Sequence, residues 1–268
     1  MLGCSGWAAS GSNQICYVQT GDGPDVILIP GLGASRHSWW PVVQSLSGSF
    51  RLTVLDPRAH HDSAGPEEPF TVGDMSSDAL VVMDSADVTR AVVVGSSMSG
   101  AVALNLAALH PERVAGVVSV GGFHQLPPAG AARMQERAAI VREQGMTPLV
   151  DMVAAGALSP HTHALQPALV GFFRQMLHGM QPEGYARAAE AVADTNVAGL
   201  LSDVKCPVLL LNGAEERVVP IQITSALLKR LPNAKLRLIP QAGHLPHIEQ
   251  PGLFSAALAE WLAVIDFD

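Results

Sequence analysis

Apolar residues run almost unbroken through "DVILIPG" (25–31), "RAVVVGSS" (90–97), "VAGVVSVGG" (114–122) and "CPVLLLNG" (206–213). A strand wetted on one face alternates apolar with polar positions. Runs without that alternation predict strands covered on both faces, as in a parallel sheet. Three further stretches, "QICYVQTG" (14–21), "FRLTVLD" (50–56) and "AKLRLIP" (234–240), also read as strands, the first forming a strand pair with 25–31. Helical patterns lie between them at 71–88, 98–110, from about Ile221 and at 249–265. Regular alternation of strand and helix predicts a doubly wound α/β fold.

Residues 123–203 break the rhythm. They hold no convincing strand, only helical stretches at 131–144, 148–156, 168–180 and 184–195, while "HTH" (161–163) reads as loop. Such an insertion between two sheet strands predicts a helical cap over the carboxyl edge, where α/β proteins bind ligands. The alternative is a second helical layer with no part in substrate access. The expected division is a core of residues 1–122 and 204–268 with a cap of residues 123–203.

Composition narrows the class. The 268 residues are 48% apolar and 15% charged, which favours one well-buried domain over disorder. A formal charge of −8 argues against nucleic acid and anionic membranes as partners. Cys4, Cys16 and Cys206 are scattered, without metal spacing or a disulfide framework, which suits a reducing, cytoplasmic setting. The opening "MLGCSGW" lacks the apolar run that export requires, and no segment approaches the ~20 apolar residues of a membrane span.

Candidate chemistry centres on "VVVGSSMSG" (92–100), where an apolar strand meets a small-residue helix across a sharp turn. This resembles the nucleophile elbow of the α/β-hydrolase family, and the resemblance extends over nearly the whole chain. The elbow needs small residues two before and two after the nucleophile. Gly95 and Ser99 supply them around Ser97, whereas centring on Ser96 would put Val94 and Met98 there. Ser97 is therefore the implied nucleophile. The family's chain order of serine, acid and histidine points to His244 in "LIPQAGHLPHIEQP" (238–251), with His247 as a local rival. Where many relatives carry an aspartate, "LLLNGAEERVVP" (209–220) places Glu216, with Glu215 as the neighbouring alternative. The implied oxyanion donors are the backbone N–H groups of Met98 and, in Pro30-Gly31-Leu32-Gly33, of Leu32.

"DPRAHHDS" (56–63) resembles a family loop in which Ala59 and His61 stand for glycines, with Asp56, Arg58 and His60 expected to organise it. His60-His61 makes a poor metal pair, because adjacent side chains diverge. Trp39, Met152, Phe172, Phe173 and Met176 are the candidate pocket residues. No dense arginine cluster is apparent in 123–203, which predicts a largely uncharged substrate.

The resemblance implies a serine hydrolase of small to medium esters or lactones that works through an acyl-enzyme without metal or cofactor. A serine at the elbow argues against the haloalkane dehalogenases and epoxide hydrolases of this fold, which use aspartate. Two alternatives stay open: a carbon–carbon hydrolase of ring-cleavage products with the same triad, and a non-catalytic ligand receptor.

Overall fold

The apolar runs become the centre of an eight-stranded sheet. In chain order the strands are β1 (Gly6–Ser10), β2 (Asn13–Thr20), β3 (Asp25–Ile29), β4 (Arg51–Leu55), β5 (Ala91–Ser96), β6 (Val114–Val120), β7 (Val208–Gly213) and β8 (Ala234–Ile239). They are arranged β1-β2-β4-β3-β5-β6-β7-β8, with β1 and β2 antiparallel and all pairs from β4 to β8 parallel. The computed structural model describes residues 5–63, 65 and 68–267, so the opening "MLGC" with Cys4 lies outside them. No disulfide forms among the described residues, and none of their helices is long and apolar enough to cross a membrane.

Period-two geometry explains the unbroken runs. Ile27, Ile29, Val93 and Val117 point to one face of the sheet and join one core layer. Val26, Leu28, Val92 and Val94 point to the other face and join a second layer. Each such residue is out of water, and full burial of one aliphatic side chain stabilises by ~1.5–3 kcal/mol. A polar residue in either set would face a dry layer.

Helices α2 (Val72–Ser85) and α3 (Met98–Leu109) cover the first face, and α1 (Trp40–Leu46) and α11 (Pro251–Leu262) the second. Thr71 and Asp74 close a reciprocal capping box at the start of α2. Between β6 and β7 run α4 (Pro128–Gln144), α5 (Thr147–Ala157), α6 (Pro160–Leu165), α7 (Pro167–His178) and α8 (Pro182–Ala193). Each has proline in its first two positions, where the missing N–H costs nothing and the fixed φ suits a helix. Helix α9 (Ile221–Arg230) follows β7, and the short α10 (Pro246–Glu249) precedes α11.

Two expectations are corrected. Strands β2 and β3 do not pair, because β4 lies between them and bonds to both. "HTH" is helical rather than loop: the Ser159 hydroxyl accepts the Thr162 N–H and starts α6. Strand β1 and helix α1 were not anticipated at all.

Candidate active site

Strand β5 ends at Ser96 and α3 begins at Met98, so Ser97 alone makes the turn. Its φ of 52° and ψ of −114° are in a left-handed region that costs a residue with a side chain ~1–3 kcal/mol. Its surroundings hold it there. The Ser97 N–H donates to Val120 O at 2.7 Å, and the Gly100 N–H donates to Ser97 O at 2.9 Å. Strand and helix approach so closely that a Cβ on Gly95 would lie 1.9 Å from Ser99 O. Ser99 fills the position of a usual glycine by donating its hydroxyl to Pro30 O at 2.5 Å. Ser96 is buried with an unbonded hydroxyl. Of the three serines, only Ser97 lines the cavity.

His244 follows β8 and lines the same cavity. Its Nδ1 lies 2.6 Å from Glu216 Oε2, and both side chains are 7% exposed. The other carboxylate oxygen, Oε1, accepts the N–H groups of Val218 at 2.6 Å and Val219 at 3.2 Å. Burial pushes the Glu216 carboxyl up, but the His244 charge and these hydrogen bonds outweigh it and hold its pKa below the ordinary value. Glu215 takes no part in this pair.

Gly121, with φ 56°, passes behind the two side chains. A Cβ there would sit 2.9 Å from His244 Nδ1 and 3.0 Å from Glu216 Oε2. The His244 N–H donates to Ala157 O at 2.7 Å, fixing the loop to the end of α5. Glu249 steadies that loop from below: its buried carboxylate accepts the N–H groups of Gly243 and Leu245 on one oxygen, and the Ser159 N–H and Thr162 hydroxyl on the other. Neither Gly121 nor Glu249 was anticipated. The Gly-Gly after β6 was the one visible signal for the first.

The Leu32 and Met98 N–H groups flank Ser97 and donate to no described residue. A Cβ on Gly31 would come within 3.1 Å of Ser97 Cβ, so this loop lies directly against the turn. The Gly33 N–H is already used, donating to His60 Nε2 at 3.1 Å while His60 Nδ1 lies 2.9 Å from Arg58 O. The Leu32 N–H, expected as an oxyanion donor, has no such acceptor among the described residues.

The side chains of Asp56, Arg58 and His60 tie the 56–63 loop to Arg36, to Asp78 of α2 and to Gly33, while His60 Nδ1 also closes on Arg58 O within the loop. Ala59 and His61, where glycines were expected, have φ of 62° and 45°. Both carry the left-handed backbone that explains a glycine preference there.

Burial pushes His60 down to about 4 and His247 to about 3. Both are neutral when folded, while the unfolded forms take a proton near 6.5. Their stabilising contribution is therefore complete above pH 6.5 and lost as pH falls toward 4, by on the order of 5 kcal/mol together. The melting temperature should drop steeply between pH 6.5 and 4.5, with a shallower slope in His247→Gln. An unchanged melting temperature across that range would contradict the assignment.

The cavity has a volume of about 250 Å³. Of the five expected pocket residues, only Phe173 lines it. Trp39 is wholly buried, its ring 4.2 Å from that of His247, which removes both from the cavity. Met176 packs inside the helical segment, while Met152 and Phe172 are 52% and 39% exposed. Helical phase decides this: adjacent Phe172 and Phe173 point in different directions, which composition does not reveal. The cavity walls include Leu32, Phe123, Leu126, Val219 and, unanticipated, Arg133, Arg137 and Arg217.

A sequence profile described as "alpha/beta hydrolase fold" matches residues 24–251. The chain belongs to the α/β-hydrolase family. Among curated members of the family it is 30% identical to "Putative carbamate hydrolase RutD" of Caulobacter sp. (strain K31), over 95% of this chain and 98% of that one. It is 28% identical to 3-oxoadipate enol-lactonase 2 of Acinetobacter baylyi, over 88% of each. Among solved α/β-hydrolase structures, a thermophilic esterase from Thermogutta terrifontis, with malate bound, superimposes with a TM-score of 0.91 at 26% identity, covering 96% of this chain and 97% of that one. These relatives are named as hydrolases, and hydrolase chemistry is what the family membership supports.

Proposed function

We propose that the protein is a serine hydrolase that cleaves a small to medium carboxylic ester or lactone through an acyl-enzyme. One observation carries the reading: Ser97, held at φ 52° at the strand–helix turn, shares a cavity with an imidazole whose Nδ1 is paired to a buried carboxylate. Ser97 Oγ attacks the carbonyl carbon while its proton passes to His244 Nε2. The Nδ1 side stays paired to Glu216, which fixes the tautomer and stabilises the imidazolium. The oxyanion is received by the Met98 and Leu32 N–H groups. Collapse expels the alkoxide, which takes the proton from His244. Water then attacks the acyl-enzyme, gives its proton to His244 and releases the acid as Ser97 regains its hydrogen. The chemistry calls for no cofactor.

The helices of residues 123–203 serve in this reading as a cap, since Phe173 and Tyr185 line the cavity together with Ser97 and His244. The apolar walls beside Ser97 suit an uncharged reacting end. A cytoplasmic setting remains part of the reading and rests on the cysteine pattern. The likeness to proteins named as esterase, enol-lactonase and carbamate hydrolase sets the test panel: graded 4-nitrophenyl esters, lactones and an aryl carbamate. Turnover of esters or lactones together with a fluorophosphonate adduct on Ser97 is the expected result. Folded protein that gives no adduct and turns over nothing would favour a ligand receptor instead.

A further inference from the structure

The chain carries thirteen arginines among an excess of acids. Among the described residues at least eight of them lie within 4 Å of a carboxylate. None of the described residues offers Arg133, Arg137 or Arg217 such a partner, and these three line the cavity that contains Ser97. Arg133 and Arg137 stand four residues apart on α4, on the stripe that also brings Gly130 and Met134 to the cavity. Two like charges at that spacing weaken a helix by a few tenths of a kcal/mol, so the pair is not explained by helix stability. Arg217 enters from the loop after β7. Its neighbour Glu216 forms no ion pair with it: both carboxylate oxygens are taken by His244, Val218 and Val219.

Arg137 is also oriented. It is half-buried against the phenol of Tyr185, whose pKa burial raises and Arg137 pulls back down. The Tyr185 ring lies against Gly33 of the oxyanion loop, where a glycine Cβ would come 3.3 Å from it. A guanidinium held by an uncharged partner keeps its full charge for a ligand, and its planar fork suits a carboxylate.

We propose that the substrate's acyl group ends in a carboxylate, received by Arg133 and Arg137 with Arg217 lining the same cavity, so that hydrolysis yields a dicarboxylate. This rests on the serine-hydrolase reading above and revises the expectation of a largely uncharged substrate. That expectation rested on the absence of a dense arginine cluster in 123–203. The fold brings two arginines a helical turn apart and a third some eighty residues later to the walls of one cavity.

The test compares mono-4-nitrophenyl glutarate with its methyl-capped diester, which has the same scissile bond and no charge. Wild-type enzyme at low salt should favour the anionic ester in kcat/KM by roughly 10- to 100-fold, the range of one or two charge-assisted hydrogen bonds. The preference should shrink in molar salt, because the arginines are reached by solvent. In Arg133→Gln/Arg137→Gln it should fall toward one. A wild-type preference at or below one, or one retained in a double variant of native melting temperature, would overturn the proposal. Binding of glutarate to Ser97→Ala by calorimetry needs no turnover, and no heat of binding at about 10 mM, well above a ~1 mM Kd, would also overturn it. Glutarate binding without hydrolysis of either ester would leave the clamp standing and remove the serine-hydrolase reading.

Discussion

Replacing Ser97 with alanine should lower kcat on an activated ester by roughly a thousandfold or more, because the proposed mechanism builds its acyl-enzyme on this hydroxyl. Residual rate would come from the oxyanion donors and substrate binding alone. The left-handed backbone at Ser97 predicts that alanine will keep or slightly lower stability, since the strain is independent of the hydroxyl. Ser96→Ala and Ser99→Ala separate position from chemistry. The Ser96 hydroxyl is buried without a partner, so its loss should change kcat less than tenfold, within the ordinary scatter of core substitutions. The Ser99 hydroxyl anchors Pro30 O, so its loss should loosen the oxyanion loop and weaken rather than abolish turnover. If Ser97→Ala kept more than about a tenth of the wild-type kcat, the nucleophile would have to be sought elsewhere.

The centre of this fold was legible because one physical cause, burial of both faces, writes itself directly as unbroken apolar runs in β3, β5, β6 and β7. Its periphery was less so. Strand β1 is short and largely exposed, so it carries little hydrophobic signal, and its pairing with β2 depends on the turn between them. The β2–β3 pairing was misjudged because neighbours in sequence are often neighbours in a sheet, yet β4 comes from further along the chain to separate them. In the candidate site, the family resemblance pointed to Ser97, His244 and Glu216; Ser97 and His244 line one cavity, and Glu216 pairs with His244 Nδ1. Pocket residues were poorly legible, since lining a cavity depends on helix phase and packing partner. Trp39 went to the core under His247, while Arg217, which lines the cavity, carried no signal in its local sequence. Glu249 was hidden for another reason: a buried carboxylate bound to four donors from two segments leaves no local pattern.

Glu216→Gln should lower kcat by about 10² to 10⁴, while Glu215→Gln costs less than about tenfold. Hydrogen-bond polarity decides the first. Glu216 Oε1 faces two N–H donors, from Val218 and Val219, so the glutamine NH₂ cannot take that place without opposing donors. Its carbonyl oxygen must go there, which turns the NH₂ toward His244 Nδ1. That nitrogen then becomes an acceptor, the ring proton moves to Nε2, and Nε2 can no longer take a proton from Ser97. The substitution thus keeps size and contacts but inverts the tautomer, so the loss should fall on kcat far more than on KM. Glu215 is held by its backbone, its N–H donating to Ala242 O, and that bond survives the change. Both variants should melt near wild type, which separates chemistry from misfolding. A larger kcat loss in Glu215→Gln than in Glu216→Gln would move the acid by one position. Near-normal turnover in both would mean that His244 works without the carboxylate now 2.6 Å from its Nδ1.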